Sequence, residues 1–267
     1  MFTLGRKIDI HYGTNISILI AAITVAAIGW VVTGSILSGL SIGVGVFLAW
    51  ALAREIDPRH EYSAFIGAAL ASLNLLYYKS ISLLVVFWIL LLIRTVNGIT
   101  GKEITAFDIL SLLGLSLYLS FNNRNAIYLV IFIISMSILI IFKERVKISF
   151  LASATALGFF IFEIFFLGYA FFNIIDYSEP IKIWAVAIVF IFMMFSNFIS
   201  NGKIRDDVGN TVKKAKIMSG QILFSAIVLL LLLFGDIGLN NLIIYISAIV
   251  GVIIYFILYK LLILKRV

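Results

Sequence analysis

The sequence predicts an all-α, polytopic transmembrane helix bundle of about ten helices, with the N- and C-termini cytoplasmic. Three observations predict it. The first is compositional: 63% of the 267 residues are hydrophobic, the mean hydropathy is +1.17, and only 12% are charged. A soluble fold must cover its outside with polar side chains; too few exist here, so lipid is the expected solvent for most of the surface. The second is the length of the apolar runs, close to the ~20 residues that a helix needs to cross the hydrocarbon. They are continuous rather than alternating, which excludes a membrane β-barrel. The third is the sorting of the cations.

In chain order the expected spans are Ile16 to Val32, Ile36 to Ala53, Ala64 to Tyr78, Ile81 to Val96, Ile104 to Ser120, Ala126 to Phe142, Ile148 to Phe172, Ile183 to Phe198, Ile217 to Phe234 and Leu242 to Leu264. The third and fourth are short, and the cluster Tyr77, Tyr78, Lys79, Ser80 between them reads as an interfacial turn. The polar stretch before Ile16 resembles the n-region of a signal, but no clear cleavage site follows, so the first span reads as a retained helix. The longest polar stretch, Ser200 to Lys216, has room for a loop or a short surface helix. The expectation is one integral membrane domain over residues 1–267 and no soluble domain.

With the N-terminus inside, the inner segments hold Arg6 and Lys7, then Arg54 and Arg59, then Arg94 and Lys102, then Lys143, Arg145 and Lys147. Lys203, Arg205, Lys213, Lys214 and Lys216 follow, and then Lys260, Lys265 and Arg266. Of the 20 Lys and Arg, only Lys79, Arg124 and Lys182 fall outside. That alternation is the positive-inside rule, and one missed or invented helix would scramble it. Aromatic residues agree: Trp30, Tyr77, Tyr118 and Trp184 fall near outer ends and Trp50 near an inner end. The net charge of +7 is therefore a topology signal, and no nucleic-acid partner is expected.

Some chemistry is excluded by composition. There are no cysteines, which removes disulfides, thiolate metal sites and cysteine nucleophiles. His11 and His60 are the only histidines and both fall in expected loops, which argues against a buried histidine metal or haem site. A rhomboid-type protease lacks its membrane histidine here, and Phe234, Gly235, Asp236 lacks the first glycine of the presenilin-type motif.

The densest polar text is the inner loop Arg54, Glu55, Ile56, Asp57, Pro58, Arg59, His60, Glu61. Arg54 and Asp57 stand three apart and share a helix face before Pro58 breaks the winding, so they form a candidate solute or ion site with Glu61. Helix-end electrostatics alone also accounts for Arg54 and Glu61. In the next inner loop Arg94, Asn97 and Asp108 are candidates, and Thr105 followed by Asp108 also has the spacing of a helix cap. Gly98, Gly101 and Lys102 fail as a Walker motif, which needs four residues between the glycines and Ser or Thr after the lysine; Glu103 stands there.

Asp206 and Asp207, among five basic residues, are candidate magnesium ligands beside a phosphate, although a solvated loop explains them equally well. Glu163 differs from these. It lies about 22 Å into the seventh span at 1.5 Å per residue, where a carboxylate must be protonated, paired or wetted. Gly39 and Gly43, four apart in the second span, allow another helix to approach closely. A short echo of Arg54, Asp57 and Ser63, Ala64, Phe65 recurs about forty residues on as Arg94, Asn97 and Thr105, Ala106, Phe107.

AREIDPRHEYSA and IRDDVGNTVKKAKI together resemble, over about 25 residues, the two aspartate-rich cytoplasmic loops of the UbiA-type prenyltransferases. The chain departs from that pattern: the Asn-Asp-x-x-Asp opening is missing, and the second loop follows the eighth span rather than the sixth. Short loops and no nucleotide motif suit a secondary transporter or permease for a small solute or ion in a plasma membrane, a prokaryotic inner membrane, with no cofactor required. The alternatives are a membrane enzyme acting on a lipid or isoprenoid phosphate with Mg2+, and a scaffold or sensor subunit. The bilayer is the expected partner, and a homo-oligomer is compatible with the sequence.

Overall fold

The computed structural model describes residues 3–6, 9, 11–76, 81–169, 180–235 and 237–264. Ten α-helices lie along them: α1 (Gly13–Thr33), α2 (Ile36–Ile56), α3 (Glu61–Ala71), α4 (Leu83–Asn97), α5 (Ala106–Asn123), α6 (Ile127–Ile141), α7 (Val146–Phe162), α8 (Pro180–Ile199), α9 (Lys214–Phe234) and α10 (Leu239–Leu264). The described residues contain no strand, only an isolated bridge between Arg205 and Thr211. Each expected span has a helix at its place.

Six helices are long and apolar enough to cross a membrane: α1, α2, α7 with the turn after it, α8, α9 and α10. Their outward side chains are apolar, as on a membrane protein; Val31 is 82% exposed and Phe165 78%. Three shorter apolar helices are tighter fits. α3 continues into a 3-10 turn, Ser72–Leu76, and the pair reaches about 26 Å against the ~30 Å of hydrocarbon, whereas α4 and α6 reach about 22 Å each.

Several boundaries differ from the expected ones for local reasons. α7 passes into a π-turn, Glu163–Leu167, and stops at Gly168, which adopts φ +68°, so the winding ends before the expected Phe172; residues 170–172 lie outside the described set. Pro180 opens α8, three residues before the expected Ile183, and its missing N–H costs nothing at that position. The expected interfacial turn Tyr77–Ser80, the cations Lys7, Lys265 and Arg266, and Asp236 also lie outside the described residues.

The chain divides into two compact units. The first comprises Met1–Arg6, Leu91–Ile183 and Gly202–Ile237. In it α6 packs against α5, α7 and α9, burying Leu112, Phe132, Leu139, Ala156, Phe224 and Leu231. One end carries the loops rich in cations. At the other, Asn125 donates from its side chain to the Phe234 carbonyl at 2.7 Å.

The second unit comprises Lys7–Leu90, Trp184–Asn201 and Gly238–Val267. Gly34, at φ 69°, ends α1, and the Ser35 hydroxyl accepts from Ser38 N to start α2, giving a tight hairpin. The spacing of Gly39 and Gly43 has the expected use: a Cβ on either would sit 2.5 Å from α1 backbone, at Ala26 O and Trp30 N or at Ala22 O. A second crossing of this kind was not read from the sequence. On α10, a Cβ at Gly251 would meet Gly67 N of α3 at 2.5 Å.

Candidate functional site

A cavity of about 430 Å3 opens at the cation-rich end of the first unit. Its lining comes from four places: the last turn of α4 with Arg94, the segment Gly98 to Ile104, the α6–α7 link Lys143, Glu144, Arg145, and the approach to α9 with Asp206 and Lys216.

Each wall is fixed locally. Asn97, buried at the end of α4, accepts Ile99 N through its side-chain oxygen at 3.2 Å. Gly98 and Gly101 take φ of +65° and +66°, and a Cβ at Gly101 would fall 2.8 Å from Asp206 Cγ, so glycine is required for that close approach. Ile99, Ile204 and Ile217 pack with Val212 beneath the loop. Asp206 accepts Val208 N at 3.0 Å and Asn210 N at 2.7 Å, holding its own turn. The link between α6 and α7 is unusual, because Lys143 and Arg145 hold φ of 60° and 45°, a region that favours glycine.

Charges of both signs meet here. Lys216 pairs with Glu144, and Arg145 lies 3.4 Å from Glu103 while donating to the Ile104 carbonyl at 2.8 Å. The amino-terminal segment lies across this end. Thr3 donates its N–H to Asp108 at 2.7 Å and its hydroxyl at 2.6 Å. Leu4 is buried, and its carbonyl accepts from Arg94 at 3.2 Å. Arg6 pairs with Asp207. Nothing in the sequence marked Thr3, Leu4 or Lys143 for these places.

The candidates from the sequence separate into three groups. Arg94, Asn97, Asp108, Asp206 and Asp207 gather at or beside the cavity, but the two adjacent aspartates diverge, one to its own turn and the other to Arg6. Among the described residues no group of three or more His, Asp or Glu is arranged to hold a metal ion. Asp108 has the cap geometry that its spacing predicts: Thr105 Oγ1 accepts Asp108 N at 3.2 Å, and Asp108 accepts Thr105 N at 2.8 Å.

Arg54, Asp57 and Glu61 belong to the second unit. Arg54 lies 3.4 Å from Glu61 and 5.4 Å from the Trp50 ring centroid. Tyr12 donates its hydroxyl to Glu61 at 2.6 Å, and that carboxylate pushes the phenol pKa up. Asp57, 2% exposed, holds His60 Nδ1 at 3.1 Å, and the imidazole stands 5.2 Å from the Tyr255 ring and 5.1 Å from the Tyr259 ring. His60, expected as a loop residue, is thus largely enclosed; its place three residues after Asp57 was the available signal.

Glu163 stands apart, fully buried at the start of the π-turn, near the end of α7 remote from the cavity. One carboxyl oxygen bonds to the Ser120 hydroxyl, and the other has no hydrogen-bond partner among the described residues. Ser120 also reaches the Asn125 carbonyl at 2.9 Å. A hydroxyl has one hydrogen and that carbonyl can only accept; if the hydrogen goes to Asn125, Glu163 supplies the proton of its own bond to Ser120 as a neutral carboxyl.

No family model matches this sequence, and neither the curated proteins nor the solved structures offer a match to it.

Proposed function

We propose that the protein is a secondary carrier for a small solute or ion, crossing a plasma membrane about ten times with both termini cytoplasmic, and that the cavity of the first unit is its cytoplasmic loading site. The prokaryotic inner membrane is the proposed setting. The observation that carries the reading is the polar cavity among cations at one end of a unit whose other end buries Glu163. A proton-coupled carrier needs a place to receive solute and a group whose charge can change within the apolar layer. In the same unit, Arg94, Lys102, Lys143, Arg145 and Lys216 line the cavity end, whereas Arg124 caps α5 at the other, which supports the orientation.

Two experiments test this. An impermeant amine reagent applied to intact cells should leave Lys213 and Lys214 unmodified, and modification there reverses the orientation. Proteoliposomes on a solid-supported membrane, challenged in turn with inorganic phosphate, sulfate, acetate, choline and sodium, should give a current or pH change with at least one. Glu163→Gln should abolish the coupled pH change with expression intact. Silence of the parent protein to the whole panel removes the carrier reading, and normal coupling by the variant removes the role of Glu163.

A second reading is favoured by Arg94 and Asp206 lining one cavity: an enzyme acting on a lipid or isoprenoid phosphate at the inner leaflet, with Mg2+. Magnesium-dependent turnover of such a lipid, lost in Asp206→Asn with Asp207→Asn, is its expected signature.

A further inference from the structure

We infer that the cavity of the first unit takes a phosphate-bearing group, an inference that rests on reading this cavity as a ligand site and not on transport. Five cations line it, Arg94, Lys102, Lys143, Arg145 and Lys216, against the three carboxylates of Glu103, Glu144 and Asp206. Two of those carboxylates are engaged by Arg145 and Lys216, and the third by backbone N–H groups of its own turn, so the lining keeps a positive excess for a ligand to meet. At about 430 Å3 the space is within the range of small-molecule sites.

The backbone is arranged toward the same end. Lys143 and Arg145 both line the cavity from a link whose φ angles glycine would take without strain, so the fold keeps two long cations there against a backbone cost, although Arg145 also ties the link to the Ile104 carbonyl. Helix electrostatics sharpens the point. α7 starts after Arg145 and α9 after Lys213; neither N-cap makes a side-chain cap bond, and neither first turn holds an acid. The positive end of a helix dipole favours anions, yet here Lys143, Arg145 and Lys147 crowd one such end and Lys213, Lys214 and Lys216 the other. Glu144 relieves this in part. A multiply charged oxyanion beside Arg145 and Lys216 relieves it further, accepting from guanidinium and ammonium together.

Phosphate suits this lining better than a carboxylate because it brings more charge and more acceptor oxygens to cations contributed by four separate segments. The group can arrive on a soluble molecule or on a lipid headgroup, since the cavity lies at the end of the helices.

The test uses the full chain in nanodiscs of phosphatidylcholine. Inorganic phosphate and glycerol phosphate are titrated by 31P NMR and calorimetry, with acetate as the comparison anion, and a parallel arm replaces part of the lipid by phosphatidic acid and measures its enrichment around the protein. Binding of the soluble probes, or selective enrichment of phosphatidic acid, supports the inference and names the source. Lys143→Gly, which suits the backbone angle and so keeps the fold, should weaken either signal by about tenfold, the scale of one charge-assisted hydrogen bond. No binding in either arm, acetate binding equal to phosphate, or an unaffected Lys143→Gly variant overturns it. Phosphate binding without transport leaves this inference standing while the carrier reading falls, and transport of another solute without phosphate binding does the reverse.

Discussion

Asp108→Ala separates a structural role from a chemical one at the cavity's edge. The carboxylate is fully buried and accepts four hydrogen bonds, two from Thr105 and two from Thr3. The Thr105 pair belongs to the cap of α5, and losing such a cap costs about 1 kcal/mol. The Thr3 pair holds the amino-terminal segment; a bond to a charged acceptor contributes about 1.5 to 3 kcal/mol, but releasing the segment returns backbone freedom of about 1 to 2 kcal/mol per residue. That freedom offsets much of the Thr3 pair, so the expected loss is at least the ~1 kcal/mol of the cap and at most about 4 kcal/mol. Reversible unfolding in mixed micelles measures it, and amide exchange at Thr3, Leu4 and Arg6 reports the segment. Thr105→Ala is the control: it should cost about 1 kcal/mol and leave those amides protected. If Asp108→Ala unfolds within about 0.5 kcal/mol of the parent protein with residues 3–6 still protected, the assignment is wrong.

Gly251→Ala should destabilise the second unit by about 1 to 3 kcal/mol because its Cβ would press on Gly67 backbone, whereas Gly114→Ala, with nothing within 4 Å, should gain about 0.5 to 1 kcal/mol; equal midpoints for the two would contradict the helix crossing. Lys143→Gly should raise unfolding stability by about 1 kcal/mol as it relieves a left-handed backbone, and a loss instead would show that the side chain contributes more than the strain removes. Asp207→Ala removes a partly exposed pair with Arg6 and should cost at most about 1 kcal/mol, while Asp206→Ala frees two turn N–H groups and should speed exchange at Val208 and Asn210; a larger effect at Asp207 would reverse that ranking.

The helices were legible because each apolar run is bounded by polar residues, and the cap at Asp108 because Thr105 stands three residues before it. Gly39 and Gly43 were legible for the same reason: a spacing of four places both on one helix face. Partners far apart in sequence carry no such mark. Ser120 with Glu163, Glu144 with Lys216 and Gly67 with Gly251 are single residues that only folding brings together. The end of α7 was overrun because apolar residues continue past Gly168, and apolarity does not register the left-handed φ that stops the winding. His60 lies in the loop where it was expected, but the rings of Tyr255 and Tyr259 that flank it come from α10, and nothing in the local sequence announces them. The cavity itself was half visible, its cations counted for orientation but not for what they surround.

The contacts of Thr3, Leu4 and Arg6 also set an order of assembly. A ribosome delivers these residues well before their partners Arg94, Asp108 and Asp207, the last of which follows only after α8 has been made. Residues 3–6 must wait while the helices between them and these partners are made, and their docking is complete only once Asp207 has emerged. Nascent chains arrested before Asp207 should therefore leave Arg6 accessible to trypsin, and chains released after α9 should protect it.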